Sequence, residues 1–373
     1  MIPPVLSRKW LLVLFAFLPA LALFCITARQ SEAAKTLAPS AASPSPSTSP
    51  SPENIVVTAV GDIMLGSTYP ASRGLPPQDG ATMLRDVTPL LTPGDITFGN
   101  LEGPMLEGGS TSKCRPDSRS CFAFRVPTRY GRYLKEAGFN LMSLANNHAS
   151  DFGAEGREST RRVLDRLGIA HAGGDRNDIP YLKVKGRRIA VVAFAFNNVS
   201  YNVNDIEAAK RVVERVKAKS DLVLVSFHAG AEGAAAQHVP HGTEIFLDEP
   251  RGDSRAFTHA VIDAGADLLL GSGPHVVRGM EVYRNRLIVY SLGNFAFHGF
   301  GFNGPTGLSV VLAVDVAADG RFLGGRIYPL KEGQDGPYKD KAGAIIPIVR
   351  QLSRDDFGAS AVKIGDDGAI SPP

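Results

Sequence analysis

Five apolar runs in this sequence lead into side chains that bind metal ions or exchange protons. These side chains are Asp62, then Asn100 and Glu102, then Asn147 and His148, then His228, and finally His275. Carboxylate, amide and imidazole ligands in this mixture suit manganese, iron or zinc, and the lack of cysteine argues against a structural zinc centre. They suffice for one ion or for two ions that share a bridging carboxylate. The pattern predicts a divalent metal site, and a two-ion site of this kind catalyses displacement at phosphorus and activates water as the nucleophile.

Each of these residues also has an ordinary structural explanation. Asp62 follows a strand and is a common turn residue, Glu102 is a helix cap in other settings, and a lone buried histidine usually has a structural role. The clearest functional segment is residues 141–153, LMSLANNHASDFG, in which a short apolar strand runs directly into two asparagines and a histidine. Five such strand ends in one chain favour a common site over five separate accidents.

The elements that must position these residues alternate between strands and helices. Strands are predicted at residues 54–60, 95–98, 188–196, 221–227 and 267–270, and helices at 130–137, 155–167, 205–219 and 254–264. Strands then dominate, at 280–283, 287–292, 308–316 and 321–330. This order predicts an α/β domain with central sheets covered by helices. The carboxyl ends of the strands in such folds carry the active site.

The amino-terminal residues predict export. Arg8 and Lys9 precede an uncharged, mostly apolar run at residues 10–27, which is the pattern of a signal peptide. We expect residues 1–33 to be either a signal peptide cut before Ala34 or a retained membrane anchor with its amino end in the cytoplasm. Residues 34–53 are rich in Pro, Ser and Ala and are predicted to be a disordered linker. The folded part is then periplasmic or otherwise extracytoplasmic, either secreted or anchored to the cytoplasmic membrane.

Composition and periodicity predict the organisation of the rest of the chain. Residues 54–330 are predicted to form the folded domain, and residues 331–373, which lose periodicity, a surface-wrapping or disordered tail. Cys114 and Cys121 are the only cysteines beyond the export segment, and an oxidising compartment favours a disulfide between them. The net charge of +3 and the absence of a basic run interleaved with aromatic residues disfavour nucleic-acid binding.

Six ordered motifs resemble the CapA family, which is associated with bacterial capsule and poly-γ-glutamate synthesis and is similar to calcineurin-like metallophosphoesterases. They are GDIMLG at 61–66, GDITFGNLEGP at 94–104, NLMSLANNHASDFG at 140–153, SFHAGAE at 226–232, GSGPHVVRGMEVY at 271–283 and YSLGNF at 290–295. The resemblance covers about residues 56–297. It implies a four-layer αββα sandwich, with two sheets between layers of helices.

The resemblance also implies roles for individual residues. The implied metal ligands are Asp62, Glu102 as the bridging carboxylate, Asn147, His228 and His275. His148 is the implied acid that protonates the leaving oxygen or steadies the phosphoryl group, Asn100 hydrogen-bonds to a ligand, and Glu232 takes part in catalysis by orienting His228. Two positions depart from the phosphoesterase pattern, because Met64 and Gly273 stand where histidine ligands are usual. One metal site is therefore expected to be weaker.

Two functions of different classes remain open at this stage, with a third that is weaker. The first is a metal-dependent phosphoesterase-like hydrolase that acts on an anionic capsule or other envelope polymer or its precursor. The second is a non-catalytic accessory of a membrane-bound polymer synthase, which would bind the polymer through a basic surface formed by Arg125, Arg129, Arg132, Arg278, Arg284 and Arg286. The third is a metal-dependent γ-glutamyl amide hydrolase. The sequence leaves the substrate, the metal and the oligomeric state undetermined.

Overall fold

The computed structural model describes residues 54–69, 74–114, 122–299 and 303–373. The predictions for residues 1–33 and 34–53, and Cys121 of the predicted disulfide, lie outside these ranges and stay predictions. None of the helices in the described ranges has the length and hydropathy that a bilayer crossing requires.

The strands and helices are numbered in chain order. The strands are β1 (Ile55–Met64), β2 (Ile96–Leu101), β3 (Leu141–Ser143), β4 (Ala170–Ala172), β5 (Tyr181–Val184), β6 (Arg187–Ala195), β7 (Tyr201–Asn202), β8 (Leu222–His228), β9 (Ile245–Phe246), β10 (Glu249–Pro250), β11 (Leu268–Ser272), β12 (Met280–Tyr283), β13 (Arg286–Val289), β14 (Asn294–Phe297), β15 (Leu308–Val316), β16 (Phe322–Lys331), β17 (Tyr338–Lys339), β18 (Lys363–Ile364) and β19 (Ala369–Ser371). The α-helices are α1 (Thr88–Leu91), α2 (Gly131–Glu136), α3 (Gly153–Leu167), α4 (Ile206–Lys217), α5 (Ser254–Asp263) and α6 (Ile345–Phe357).

Two large sheets organise the described part of the chain. In the first, the strand order is β18-β19-β16-β15-β1-β2-β3-β4, with β14 also paired to β1 and β17 to β16. In the second, the order is β12-β13-β11-β8-β6-β5, with β7 also paired to β6. Strands β1 to β4 run parallel, and so do β6, β8, β11 and β13. In each sheet, therefore, the carboxyl ends of the parallel strands lie along one edge.

The two sheets pack face to face around an apolar core. Strand β6 shows how the sequence produces this arrangement, because successive side chains of a strand point to opposite faces. Ile189 and Val191 join the core between the sheets, together with Val57 and Phe98 of the first sheet. Ala190, which lies between them, and Val192, which follows them, point to the opposite face and pack in a second core against the helices.

Helices cover the outer faces of both sheets. Leu91, Leu134 and Leu164, from α1, α2 and α3, pack on the first sheet, and Val213 and Phe257, from α4 and α5, pack on the second. Both helices on the second sheet begin with an aspartate whose side chain accepts a backbone N–H of the first turn, which is the usual N-cap arrangement. The predicted four-layer αββα order is confirmed.

The prediction of a wrapping or disordered tail after residue 330 is wrong. Strand β16 continues through Lys331, and β19 pairs with it. Helix α6 places Ile345, Ile346 and Val349 in the core between the sheets, and apolar residues at this spacing form one face of a helix. Pro347 and the charged residues that follow it obscured this periodicity, although proline is compatible with the first turn of a helix.

Candidate metal centre

Asp62 and Asn100 lie side by side on neighbouring parallel strands. The β1–β2 register pairs these two residues, and Asn100 Nδ2 donates to Asp62 Oδ1 over 2.7 Å. Gly61 is required directly before Asp62, because a Cβ atom there would lie 1.9 Å from the carbonyl oxygen of Gly293. The Asp62 N–H donates to that same carbonyl over 2.9 Å. The Asp62 carboxylate is thus fixed at the sheet edge.

The Glu102 carboxylate lies at the centre of the predicted ligand set. Glu102 directly follows β2, and its N–H donates to the carbonyl of Ile63 over 2.9 Å. Its Oε1 atom lies 3.9 Å from His148 Nε2, 3.9 Å from His228 Nε2 and 3.7 Å from His275 Nε2. Glu102 comes from the first sheet, whereas His228 and His275 come from the second. Five of the predicted residues therefore meet where the edges of the two sheets come together, namely Asp62, Glu102, His148, His228 and His275.

His148 is held by a buried aspartate that the sequence analysis missed. Asp151 Oδ2 lies 2.7 Å from His148 Nδ1 and accepts the Phe124 N–H at 2.7 Å. Lys113 Nζ donates to Asp151 Oδ1 over 2.5 Å and lies 3.2 Å from His148 Nδ1. Because Asp151 engages Nδ1, the Nε2 atom of His148 is directed toward Glu102. The spacing of three residues between His148 and Asp151 was the available signal, whereas Lys113 lies far away in the sequence.

The other two histidines also have partners at Nδ1. His228 Nδ1 lies 3.2 Å from Ser272 Oγ, and His275 Nδ1 lies 2.9 Å from Asn294 Oδ1. A neutral His275 that donates from Nδ1 to Asn294 Oδ1 has its Nε2 lone pair available for a metal. His275 Nδ1 also lies 3.3 Å from Asp62 Oδ2. Asn294 lies in the YSLGNF motif, for which no site residue was predicted.

The structure explains both departures from the phosphoesterase pattern. Met64 is 3% exposed and packs with Phe124 and Phe297 in a small apolar cluster, so this position contributes to an apolar wall. Gly273 has a φ of +111°, and a Cβ atom there would lie 3.1 Å from backbone atoms of Ala229. Its N–H donates to Asp62 Oδ2 over 3.2 Å. Neither position has a nitrogen ligand, and Gly273 instead orients the Asp62 carboxylate.

Glu232 lies beside His275, whereas the sequence analysis expected it to orient His228. Glu232 Oε1 accepts from Arg251 Nη1 at 2.7 Å, and Glu232 Oε2 lies 3.9 Å from His275 Nε2. Arg251 also pairs with Glu249 at 3.0 Å. The loop after β8 runs outward, so that Glu232 reaches the rim of the site.

Burial and mutual charge shift the pKa values in this cluster. Burial raises the pKa of Glu102 well above its usual range and lowers the pKa of His228 to about 4. Burial also opposes the charged form of His275, but the nearby carboxylates of Glu102 and Asp62 outweigh it and raise the pKa to about 10. Burial opposes ionisation of Asp62 as well, yet contacts with the two histidines hold its pKa below the usual value. The protonation states of these residues thus depend on one another, and the side chains of Asp62, Glu102 and His228 are fully buried.

A divalent cation fits the polar atoms that the fold leaves without partners. Among the described residues, four buried atoms on three predicted ligands lack a hydrogen-bond partner, and these are Glu102 Oε1 and Oε2, Asn147 Oδ1 and His228 Nε2. Leaving such an atom unsatisfied costs about 1–3 kcal/mol, and more if it is charged. Glu102, Asp62 and His275 can each direct one ligand atom to positions within 4.8 Å of one another. Glu102 thus belongs both to this converging group and to the residues with unpartnered buried atoms.

The cluster opens into a pocket of about 340 Å³. The residues that line it are Phe122, Phe124, His148, Glu232, Gly233, Phe246, His275, Asn294, Phe297 and Thr306. Two of the predicted ligand and acid residues, His275 and His148, are thus accessible from the pocket, while Glu102 and His228 lie behind them, with their side chains buried. A small molecule that enters the pocket meets imidazole rings at its inner end.

The six arginines proposed to form a polymer-binding surface do not form one. Arg278 is fully buried, and three others pair with carboxylates, Arg129 with Asp79, Arg284 with Asp263 and Arg286 with Asp267. Arg132 lies over the ring of Tyr133, and Arg125 over that of Phe152. A single basic surface built from these six residues is therefore ruled out.

Comparison with known proteins identifies relatives of this chain. The family model described as bacterial capsule synthesis protein PGA_cap matches residues 56–299. The capsule biosynthesis protein CapA of Bacillus anthracis is 30% identical over 265 residues, which cover 66% of this chain and 60% of that protein. The PGA biosynthesis protein CapA of Bacillus subtilis is 27% identical, over 82% of this chain and 80% of that protein. A Mycobacterium tuberculosis protein named "Probable polyglutamine synthesis accessory protein" is 25% identical, over 75% of this chain and 85% of that protein.

Solved structures include a similar chain, the 5′-nucleotidase precursor of Thermus thermophilus. It is 12% identical, with a TM-score of 0.37, and the match covers 78% of this chain and 57% of that chain.

Proposed function

Because this chain belongs to the PGA_cap family of bacterial capsule synthesis proteins, we propose that it is a metal-dependent, phosphoesterase-like hydrolase that acts on an anionic envelope polymer or its precursor. The observation that carries this proposal is the set of four unpartnered buried atoms on Glu102, Asn147 and His228. A divalent cation would satisfy the oxygen and nitrogen atoms of a buried cluster of this composition. The names of the two Bacillus relatives support the choice of a capsule polymer.

The chain's own residues supply binding and proton transfer. Glu102, Asn147 and His228 would hold the ion, with Asp62 and His275 beside them. Bound there, a divalent cation of the manganese, iron or zinc type stabilises negative charge on an ester and lowers the pKa of water.

His148 is the proposed general acid. Asp151 fixes its Nδ1 atom at 2.7 Å, so Nε2 faces Glu102 and the pocket, where a proton can pass to a leaving oxygen. Positioning by a fixed carboxylate is the usual arrangement for a catalytic histidine.

The test is hydrolysis by the full-length protein after chelation and reloading with Mn²⁺. We expect turnover of aryl phosphate monoesters or diesters by the wild type and a loss of at least about 100-fold in the Asn147→Ala/His148→Ala double variant. The Asn177→Ala/His238→Ala double variant is the matched control, because both residues are exposed. Equal hydrolysis by the site variant and the wild type would contradict the proposal, and cleavage of phosphate-free γ-glutamyl peptides would favour the amide hydrolase.

The accessory function remains the alternative, because the name of the mycobacterial relative contains the word accessory. It predicts association with membrane-bound polymer synthase subunits and no turnover of any ester by metal-loaded protein. Co-purification of the synthase subunits with both the wild type and the Asn147→Ala/His148→Ala variant, without ester hydrolysis by either, would favour it.

We also propose that residues 1–33 direct export and that residues 34–53 form the spacer. The charged flank, the apolar run and the Pro-rich composition of the sequence support this arrangement. An alkaline phosphatase fused after residue 53 is expected to be active outside the cytoplasm. An inactive fusion that regains activity with a known signal peptide would contradict this location.

A further inference from the structure

We propose that the pocket beside the metal centre binds an apolar group of the substrate, so that this site takes an ester with an anionic head and an uncharged, apolar body. This inference rests on the proposed function, since the anionic head is the part of the substrate that would meet the metal centre. It narrows the substrate class, because a stretch of free polyanionic polymer is excluded from the pocket itself.

The inner walls of the pocket are aromatic and contact the two accessible histidines. The Phe124 ring centroid lies 4.5 Å from that of His148, and the Phe297 centroid lies 5.4 Å from that of His275. Phe124 is 3% exposed and Phe297 6% exposed, and Met64 packs against both. A group attached to the reacting centre must therefore lie against these rings. The methionine found where phosphoesterases have a histidine ligand supports this apolar wall.

The rim of the pocket continues the apolar surface. Phe246 of β9 lines the pocket and lies next to the turn of the short β9–β10 hairpin. The Arg251 guanidinium lies 5.1 Å from its ring centroid, and Arg251 is also paired with Glu232 and Glu249. Two carboxylates thus neutralise the arginine at the rim. A charged polymer gains little from a cation that already has two partners.

The charges that line the pocket disfavour a polyanion. None of the described residues that line it is lysine or arginine, and the one carboxylate among them is Glu232. Poly-γ-glutamate carries a carboxylate on every residue, and each carboxylate placed against aromatic rings would lose hydration without gaining a partner. Repulsion from Glu232 adds to this cost. An apolar body loses no polar hydration in the same space.

The size of the pocket matches one modest group. Pockets for small ligands range from about 300 to about 1,000 Å³, and this one, at about 340 Å³, is near the lower limit. It has room for a ring or for a short hydrocarbon chain. Both present the same apolar chemistry, and the test below distinguishes them.

The test compares phosphonates that share one head group and differ only in the tail. Methyl-, phenyl-, hexyl- and 2-carboxyethylphosphonate are titrated calorimetrically into full-length, Mn²⁺-loaded protein. We expect phenyl- or hexylphosphonate to bind about tenfold more tightly than methylphosphonate, and the carboxyethyl compound to bind no more tightly than methyl. Tighter binding of phenylphosphonate identifies a ring as the natural group, and tighter binding of hexylphosphonate identifies a chain.

Two results overturn the inference while the proposed function stands: equal affinity for all four compounds, or tightest binding of carboxyethylphosphonate. If no phosphonate binds, the proposed function fails and the inference fails with it. The tail preference should also decrease in the Phe246→Ala variant, by about threefold or more. Phe246→Leu separates ring stacking from simple apolar contact. Tyr181→Ala, at an exposed aromatic residue of β5, is the matched control and should keep the wild-type preference.

Discussion

Two buried polar clusters of this protein differ in one respect, which is whether their atoms have partners. In the metal centre, Glu102 and His228 have buried atoms without any hydrogen-bond partner. In the second cluster, Arg278 donates from Nη1 and Nη2 to the two oxygens of Glu244 at 2.8 and 2.7 Å, and from Nε to the carbonyl of Ala236 at 2.7 Å. The Ala231 N–H also donates to Glu244, at 3.0 Å.

Buried polar atoms without partners indicate a binding site, whereas a buried cluster whose atoms are paired has a structural role. A fully paired buried cluster has nothing left to bind, and it fixes the loop that carries Glu232 and Phe246 to the pocket. An unpaired cluster is unfavourable alone and becomes favourable only when a ligand supplies the missing partner. Elsewhere in the described part of the chain, unpartnered buried atoms occur one per residue, on Arg251, Ser254 and Glu332.

The largest effect is expected from breaking the paired cluster. Arg278→Ala leaves the Glu244 carboxylate buried without its partner, and we expect a loss of about 3–5 kcal/mol in the free energy of unfolding, measured by urea denaturation. The Arg278→Met/Glu244→Leu double variant removes both charges and should recover most of that loss. A loss below about 1 kcal/mol in the single variant would show that Glu244 is not buried as described.

A pH titration tests the unpartnered Oε1 atom of Glu332, a residue outside the predicted metal-ligand set. Burial raises the pKa of Glu332 to about 7, from 4.5, so the folded state keeps a proton that the unfolded state loses between these values. Stability should therefore decrease as the pH rises from about 4.5 to about 7, by about 3 kcal/mol. Glu332→Gln should lack this contribution. Parallel pH profiles of the two proteins would contradict the assignment.

Metal binding should stabilise the wild type and not a ligand variant. At a Mn²⁺ concentration 100 times the dissociation constant, we expect about 2.7 kcal/mol of added stability, seen as a higher thermal midpoint. Glu102→Gln should lose this increase and, without metal, should be at least as stable as the wild type, because it removes a buried carboxyl group that has no hydrogen-bond partner. A metal-dependent increase of equal size in both proteins would place the ion elsewhere.

The smallest effect is expected at an exposed contact far from both clusters. Asp205 caps helix α4 by accepting the Ala208 N–H at 3.0 Å, and Asp205→Ala should cost about 1 kcal/mol. Mn²⁺ should stabilise this variant as much as it stabilises the wild type. A cost comparable to that of Arg278→Ala would mean that burial does not distinguish the two kinds of contact.

Local patterns allowed much of the fold to be predicted. Strands β12 and β15 have the predicted bounds, and α3, α4 and α5 begin and end within two residues of the predicted positions. Apolar runs and caps are local signals, which is why they sufficed. Helix α6 was missed because its run of apolar residues at helical spacing is short and contains a proline.

Only part of the site could be predicted, because only some of its contacts follow from local patterns in the sequence. Polar residues at the ends of neighbouring parallel strands must converge at a sheet edge, so Asp62 and Asn100 could be predicted to meet. Asn294 and the Arg278–Glu244 pair act through contacts made after folding, and no spacing in the sequence indicates such contacts, whereas Asp151 lies only three residues after His148. The direction of Glu232 depends on Arg251, 19 residues later, and the sequence analysis did not consider that pair.

Calorimetric titration of Mn²⁺ into chelator-treated, full-length protein tests the central claim most directly, namely that Glu102, Asn147 and His228 hold a divalent cation. We predict saturable binding of at least one ion per chain by the wild type and by the Glu207→Gln control, an exposed carboxylate on α4, and loss of binding in Glu102→Gln. Absence of binding in the wild type, or equal binding in Glu102→Gln, would contradict the account.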